Sequence, residues 1–210
     1  MAGTLVIDSA TDACSVALFA GEALVGSEWK LLGRGHAERL VPMIEALPGK
    51  GRAARIAVAL GPGSFTGIRV GLAAAKALAL AWQAELVGYG TLALLAAQAR
   101  ARHGEVPVAV CNTGGHGEWF VQEFDASGHD LAPVRSVRPE EAVAQVHADL
   151  VVGSQAETLV KARMRGRADP LWPDARAFPA LPDDALTHTV SAAYGRAPDA
   201  KRPGERKAAS

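Results

Sequence analysis

Residues 56–60, Ile-Ala-Val-Ala-Leu, are apolar throughout and run directly into Gly61-Pro62-Gly63-Ser64-Phe65-Thr66-Gly67. The following stretch, 70–82, holds a single charge, Lys76. A strand apolar at every position has both faces covered, which is the situation inside a parallel sheet flanked by helices. The chain is therefore an α/β protein in which a central strand feeds a helix, predicted over 68–82, through a glycine-rich turn. Two readings of the turn stay open. Free N–H groups at a helix start can hold an anion, with Ser64 or Thr66 as N-cap, or the turn simply caps the helix. The specific fingerprints fail: 61–69 has no Gly-Lys-Ser/Thr ending and no Gly-x-Gly-x-x-Gly spacing, and Pro62 and Thr66 flank Ser64 where a nucleophile elbow needs glycines.

A helix that is apolar all round needs cover on all sides. Arg69 and Gln83 bracket a stretch short for a bilayer span, which argues against lipid. The sheet shields one face, and the other needs either this chain's own helices or a second protein. Gly71, Ala73, Ala74, Ala75 and Ala77 would let another helix approach closely.

Upstream, 4–7, 15–19 and 23–29 read as three strands of a meander, and the period then changes. Leu40, Val41, Ile44 and Leu47 recur at helical spacing until Pro48-Gly49. A short strand at 86–87 and an alanine-rich helix at 91–102 close a first lobe, residues 1–102. Beyond His103-Gly104-Glu105, strands are predicted at 106–111, 118–124 and 131–137, then a helix at 139–146 and a strand at 150–152. This second lobe, 103–210, repeats the first in outline. The segment 163–184 is expected to wrap the surface, 185–194 to form a short helix, and 201–210 to fray.

Of 210 residues, 49% are hydrophobic, enough for a sizeable core. Twenty-two basic residues balance 22 acidic ones, so no overall positive field holds nucleic acid. The two cysteines, Cys14 and Cys111, lie far apart in apolar surroundings, as buried thiols of a reducing compartment do, and the N-terminus reads as a strand rather than a leader. A cytoplasmic location is the expectation. His103, His116, His129, His147 and His188 have no metal-ligand spacing. The basic run Lys161, Arg163, Arg165 and Arg167 is either a solvated helix end or an accessory contact to RNA phosphates.

The segment 61–79, Gly-Pro-Gly-Ser-Phe-Thr-Gly-Ile-Arg-Val-Gly-Leu-Ala-Ala-Ala-Lys-Ala-Leu-Ala, closely resembles the signature of the TsaB (YeaZ) family. Three further pieces match in order: 5–17 around Asp8 and Cys14, 36–44 from His36 to Ile44, and 194–201 beginning Tyr194-Gly195. The resemblance implies an α/β, actin/Hsp70-like (ASKHA, ribonuclease H-like) two-lobed fold of duplicated mixed sheets with flanking helices. It also implies a non-catalytic activator of TsaD, the threonylcarbamoyl transferase that forms N6-threonylcarbamoyladenosine at position 37 of tRNAs reading ANN codons. The partners implied are a TsaD-like paralogue in a heterodimer, a TsaE-like ATPase, a homodimer when alone, and tRNA mainly through the complex, with no membrane.

By the same resemblance, the partner interface comprises His36, Leu40, Val41, Ile44, Arg69, Val70, Ala73, Ala74, Lys76 and Ala77, beside the glycine loop Gly61, Pro62, Gly63, Ser64, Phe65, Thr66 and Gly67. The transferase paralogue carries two histidines four apart that ligate a metal. Here His36 is followed at position 40 by Leu, so no metal site is expected. ATP and a metal ion would belong to the partner complex, with no cofactor on this subunit. Asp8 stands where kinases of the fold place a carboxylate near phosphate-bound metal, but Ser9-Ala10-Thr11 lacks the glycine and paired hydroxyls of that turn. The sequence departs from the family at 111–119 and in a short, basic 48–55 link. The competing readings are a glycoprotease-like or ATP-dependent enzyme acting alone, and a homodimer without a tRNA role.

Overall fold

A computed structural model describes residues 3–195. Strands β1 (Gly3–Asp8), β2 (Ala13–Ala20) and β3 (Ala23–Leu31) form the antiparallel meander, with Leu5 opposite Leu18 and Ile7 opposite Val16. Helix α1 (His36–Glu45) leads to β4 (Arg55–Ala59), α2 (Phe65–Trp82) to β5 (Glu85–Tyr89), and β4 and β5 continue the sheet parallel to β1. Helix α3 (Thr91–His103) then crosses to the second sheet.

There β6 (Val108–Thr113), β7 (Trp119–Phe124) and β8 (Arg135–Val137) form a second antiparallel meander. It is followed by α4 (Pro139–Gln145), β9 (Leu150–Val152), α5 (Ala156–Arg163) and β10 (Arg167–Asp169), with β9 and β10 parallel to β6. The spatial orders are β5-β4-β1-β2-β3 and β10-β9-β6-β7-β8, and β11 (Leu186–Thr187) is added outside β5. One unit has been used twice, which is the actin/Hsp70-like arrangement expected from the sequence.

Helix α3 explains why two sheets make one body. Leu92, Leu95, Ala96 and Ala99 pack with Val108, Val110, Phe120 and Leu150 of the second sheet, whereas Leu94 belongs to the core of the first, with Tyr89. Its alanines keep it thin enough to be buried from both sides. On the opposite face of the first sheet, α2 lies on β1, β4 and β5 with Ile68, Leu72 and Ala75 inward, and α1 packs beside it. Each fully buried Leu or Ile contributes about 1.5–3 kcal/mol relative to exposure.

The structure differs from the sequence reading toward the C-terminus. Instead of a helix over 185–194 there is a 3₁₀ turn at Asp183–Ala185 and then β11, which pairs antiparallel with β5. The β-branched Thr187, Thr189 and Val190 favour extended backbone, and β5 offers an open edge to it. Residues 173–187, assigned by sequence to the second lobe, return to the first sheet: Ala175 N donates to Ser15 Oγ (2.8 Å), and Trp29 Nε1 donates to Pro173 O (3.1 Å). The strand expected at 131–137 shrinks to Arg135–Val137, past Pro133, which has no N–H to give a ladder. Expectations for 196–210 lie outside the described residues.

Candidate functional site

The glycine loop lies across the end of β1. Ser64 N donates to Ala10 O (2.6 Å), Ser9 Oγ donates to Gly67 O (2.9 Å), and the Ser64 hydroxyl caps α2 by accepting from Gly67 N (3.3 Å). A β-carbon at Gly63 would stand 2.0 Å from Ala10 O, and one at Gly67 2.1 Å from Ser9 O. These glycines are required because two backbones touch. Between the two readings of the turn, the loop's packing favours the capping turn, since two of its N–H groups already have partners inside the chain.

Beneath the loop sits Asp8, completely buried. Its Oδ1 accepts from Ala10 N (3.0 Å), and the Tyr89 hydroxyl, which donates to Ile7 O (3.0 Å), lies 3.5 Å from Oδ2. Burial pushes the Asp8 carboxyl from the ordinary carboxylate range up to about 7, against the lowering effect of the Ala10 and Tyr89 hydrogen bonds. The adjacent Cys14 thiol is raised to about 12 by burial and by the nearby Asp8. This carboxyl is sealed in the core rather than presented to a ligand.

The proposed interface residues separate into three groups. His36, Leu40 and Ile44 point inward, at 6%, 0% and 3% exposure, so they cannot form an outer contact. The helical spacing that singled them out marks the face of α1 turned to this chain's own core. Val41, Ala73, Lys76 and Ala77 are exposed, with Val70 and Ala74 half-buried. Arg69 is exposed too, but its guanidinium stacks 3.6 Å over Phe65 and its Nε donates to the Tyr194 hydroxyl (3.1 Å).

Sequence reasoning missed Leu80, which is 83% exposed and extends the stripe Ala73, Lys76, Ala77, Leu80 at positions i, i+3, i+4 and i+7. The spacing from Ala73 was the signal for it. Among the described residues α2 is the one helix long and apolar enough to cross a membrane, at 18 residues and mean hydropathy 1.3. Length therefore does not exclude a span, and the inner face packs on the sheet.

Among the described residues no three His, Cys, Asp or Glu side chains gather in a way that could hold a metal. His36 Nε2 is buried without a hydrogen-bond partner. The arginines of the basic run are committed to local structure: Arg163 donates to the carbonyls of Val146, Ala148 and Asp149, Arg165 donates to Val146 O, and Arg167 pairs with Asp149.

A cavity of about 740 Å³ opens between the two sheets. From the first lobe it is lined by the turn at Thr11 and Asp12 and by Ser64, Phe65 and Arg69, and from the second by Asn112, Thr113 and Ser154. Asn112 Oδ1 accepts from Ser154 N (2.9 Å), Thr113 N donates to Ser154 Oγ (2.9 Å), and Gln155 Nε2 donates to Thr113 Oγ1 (2.8 Å). The segment at 111–119 that departs from the family signature thus forms one wall of the cavity.

A family model described as "TsaD: tRNA N6-adenosine threonylcarbamoyltransferase" matches residues 30–162. The tRNA threonylcarbamoyladenosine biosynthesis protein TsaB of Escherichia coli is 35% identical over 125 residues, covering 57% of this chain and 54% of that protein. Its namesake in Haemophilus influenzae is 36% identical over 105 residues, covering 47% and 44%. The chain spans about half the length of the curated relatives it matches. Among solved structures, YeaZ from Pseudomonas aeruginosa superposes with a TM-score of 0.74 at 28% identity, covering 86% of this chain and 90% of that one. The ethanolamine utilization protein EutJ from Carboxydothermus hydrogenoformans, at TM-score 0.50 and 12% identity, shares the fold alone.

Proposed function

The chain belongs to the TsaB (YeaZ) family, on the evolutionary ground covered by the TsaD family model, and from that premise we propose that it is a non-catalytic partner of a TsaD-type transferase making N6-threonylcarbamoyladenosine on tRNA. The observation that carries this reading is the uncovered stripe on α2. Leu80 is 83% exposed and Val41 of the neighbouring α1 is 57% exposed, with Ala73 and Ala77 offering small side chains for close helix approach. Exposed apolar side chains gathered on one helical face are what a partner helix covers.

The non-catalytic assignment draws support from the side chains themselves. Leu40, wholly buried, occupies the place of a second histidine, and the Asp8 carboxyl is enclosed in the core. Balanced charge leaves tRNA to be held chiefly by the partner, with ATP, its metal and a TsaE-like ATPase belonging to the assembled complex. The free, buried thiols Cys14 and Cys111 fit the cytoplasm, where tRNA is modified.

The same stripe supports a homodimer when the paralogue is absent, because a face that fits a related helix pair can fit a copy of itself. The test is to mix the purified protein with the TsaD paralogue of its organism and measure the eluting mass by light scattering. A mixed complex is expected, lost in Ala77→Arg and Leu80→Asp while both variants keep the wild-type melting temperature. If the proteins elute separately at about micromolar concentration, or if both variants still assemble, the partner role falls.

A further inference from the structure

Four of the nine residues of β3 are large apolar side chains left in the open: Leu24, Val25, Trp29 and Leu31 are 39–55% exposed. The strand is also the outer member of the first sheet, with β2 on one side and no strand on the other among the described residues. A long, apolar sheet edge is a template for a further strand. From this edge we infer that β3 pairs antiparallel with β3 of a second copy of the chain, joining two six-stranded sheets into one.

The ladder on the inner side fixes which backbone groups are free. Leu32 N donates to Asp12 O (2.8 Å), in the register that sets Leu31 opposite Ala13. Hydrogen-bonded pairs alternate along an antiparallel ladder, so Glu28 and Lys30, opposite Val16 and Cys14, direct their N–H and C=O groups to β2. Ser27, Trp29 and Leu31 turn theirs outward. The bulge in this ladder falls between Leu18 and Phe19, opposite the start of β3, and leaves 27–31 regular. No proline interrupts the strand.

Charge selects both the occupant and the register. With Trp29 opposite its own copy, Ser27 faces Leu31, and the residues that meet as hydrogen-bonded pairs are those whose groups point outward. Glu28 of each copy then stands opposite Lys30 of the other, in the non-hydrogen-bonded pairs where side chains come closest. The neighbouring registers that also match outward groups would set Glu28 against Glu28 or Lys30 against Lys30, which is destabilising. Within one chain the two side chains lie 3.6 Å apart and stay 37% and 48% exposed, open to a second pair. On the other face of the sheet Trp29, whose indole N–H donates to Pro173 O (3.1 Å), meets its own copy with Leu31 beside it. Helix α2 lies over β1, β4 and β5, so its stripe stays uncovered in such a pair and loss of the partner role would leave the pairing intact.

Sedimentation equilibrium of the full chain tests this in a Leu80→Asp background, which removes pairing through the α2 stripe. A doubling of mass is expected as the concentration is raised to about 100 µM. Adding Lys30→Glu sets like charges opposite each other and should weaken the dimer about tenfold, and adding Glu28→Lys to that variant should restore it. Ser27→Pro removes one outward N–H, leaves the bonds to β2 in place and should also dissociate the pair. Circular dichroism should stay native throughout. The inference is overturned if the Leu80→Asp chain stays monomeric at about 100 µM, which would leave the edge to a strand of another protein. It is overturned equally if Lys30→Glu and Ser27→Pro, both folded, dimerise as tightly as their parent, or if the charge exchange restores nothing.

Discussion

At the scale of single residues, Asp8 illustrates how a motif position can survive as a structural element. A carboxyl with no exposure, one backbone N–H and a tyrosine hydroxyl has too few donors to hold a full charge, so burial raises its pKa from 3.8 to about 7. The folded chain therefore binds this proton more tightly than the unfolded chain. Stability from the protonated form is complete below about pH 4 and is lost as pH rises through about 7. Ionising the buried carboxyl at alkaline pH therefore costs stability, on the order of a few kcal/mol. Asp8→Asn keeps an oxygen for Ala10 N–H and removes the charge. Its melting temperature should exceed the wild type's at about pH 8.5 and match it near about pH 4. Equal destabilisation of Asp8→Asn at both pH values would show that folding leaves the carboxyl at its ordinary pKa.

At the scale of elements, α1 shows what a sequence pattern can and cannot say. Helical spacing marks Leu40, Val41, Ile44 and Leu47 as one apolar set, yet only Val41 faces out, at 57% exposure, while the others are at most 4% exposed. Periodicity detects that a face is apolar; whether its cover comes from the same chain is decided by tertiary packing. The same limit applies to α2, whose uniform Ala-Leu composition hides the division between inward Leu72 and outward Leu80. By contrast, the strand-turn-helix unit at 56–82 was legible because each part has its own local cause: an apolar β-branched run, glycines where backbones touch, and Ser64 as the cap. The division of α1 predicts opposite results for adjacent substitutions. Leu40→Ala should cost about 2–5 kcal/mol in urea unfolding through the cavity it leaves, whereas Val41→Ala should stay within about 0.5 kcal/mol. Similar losses for the two would mean that Val41 is covered within this chain.

At the scale of the whole molecule, the duplicated strand order was readable, because strand-first lobes recur at 4–29 and 106–137, but the connections that lock the lobes were not. Short contacts between residues far apart in sequence leave no periodic trace. Phe178, in the 3₁₀ turn Ala175–Ala180, stands with its ring 6.4 Å from Phe19 and 5.8 Å from Tyr89, although the chain has by then passed through the second sheet. Together with β11 on the edge of β5, and with α3 buried against both cores, it ties the last part of the chain to the first sheet. Neither sheet can then open without exposing apolar surface that belongs to the other, so the two should unfold together rather than in sequence. Urea unfolding followed by far-ultraviolet circular dichroism and by tryptophan fluorescence should give coincident single transitions, with Trp29 on the first sheet and Trp119 on the second both contributing. Phe178→Ala should lower the midpoint by about 2 kcal/mol or more in free energy while keeping the transitions coincident, because β11 and α3 still couple the lobes. Two separated transitions in the wild-type chain would mean that the returning segment decorates the first sheet without joining the lobes.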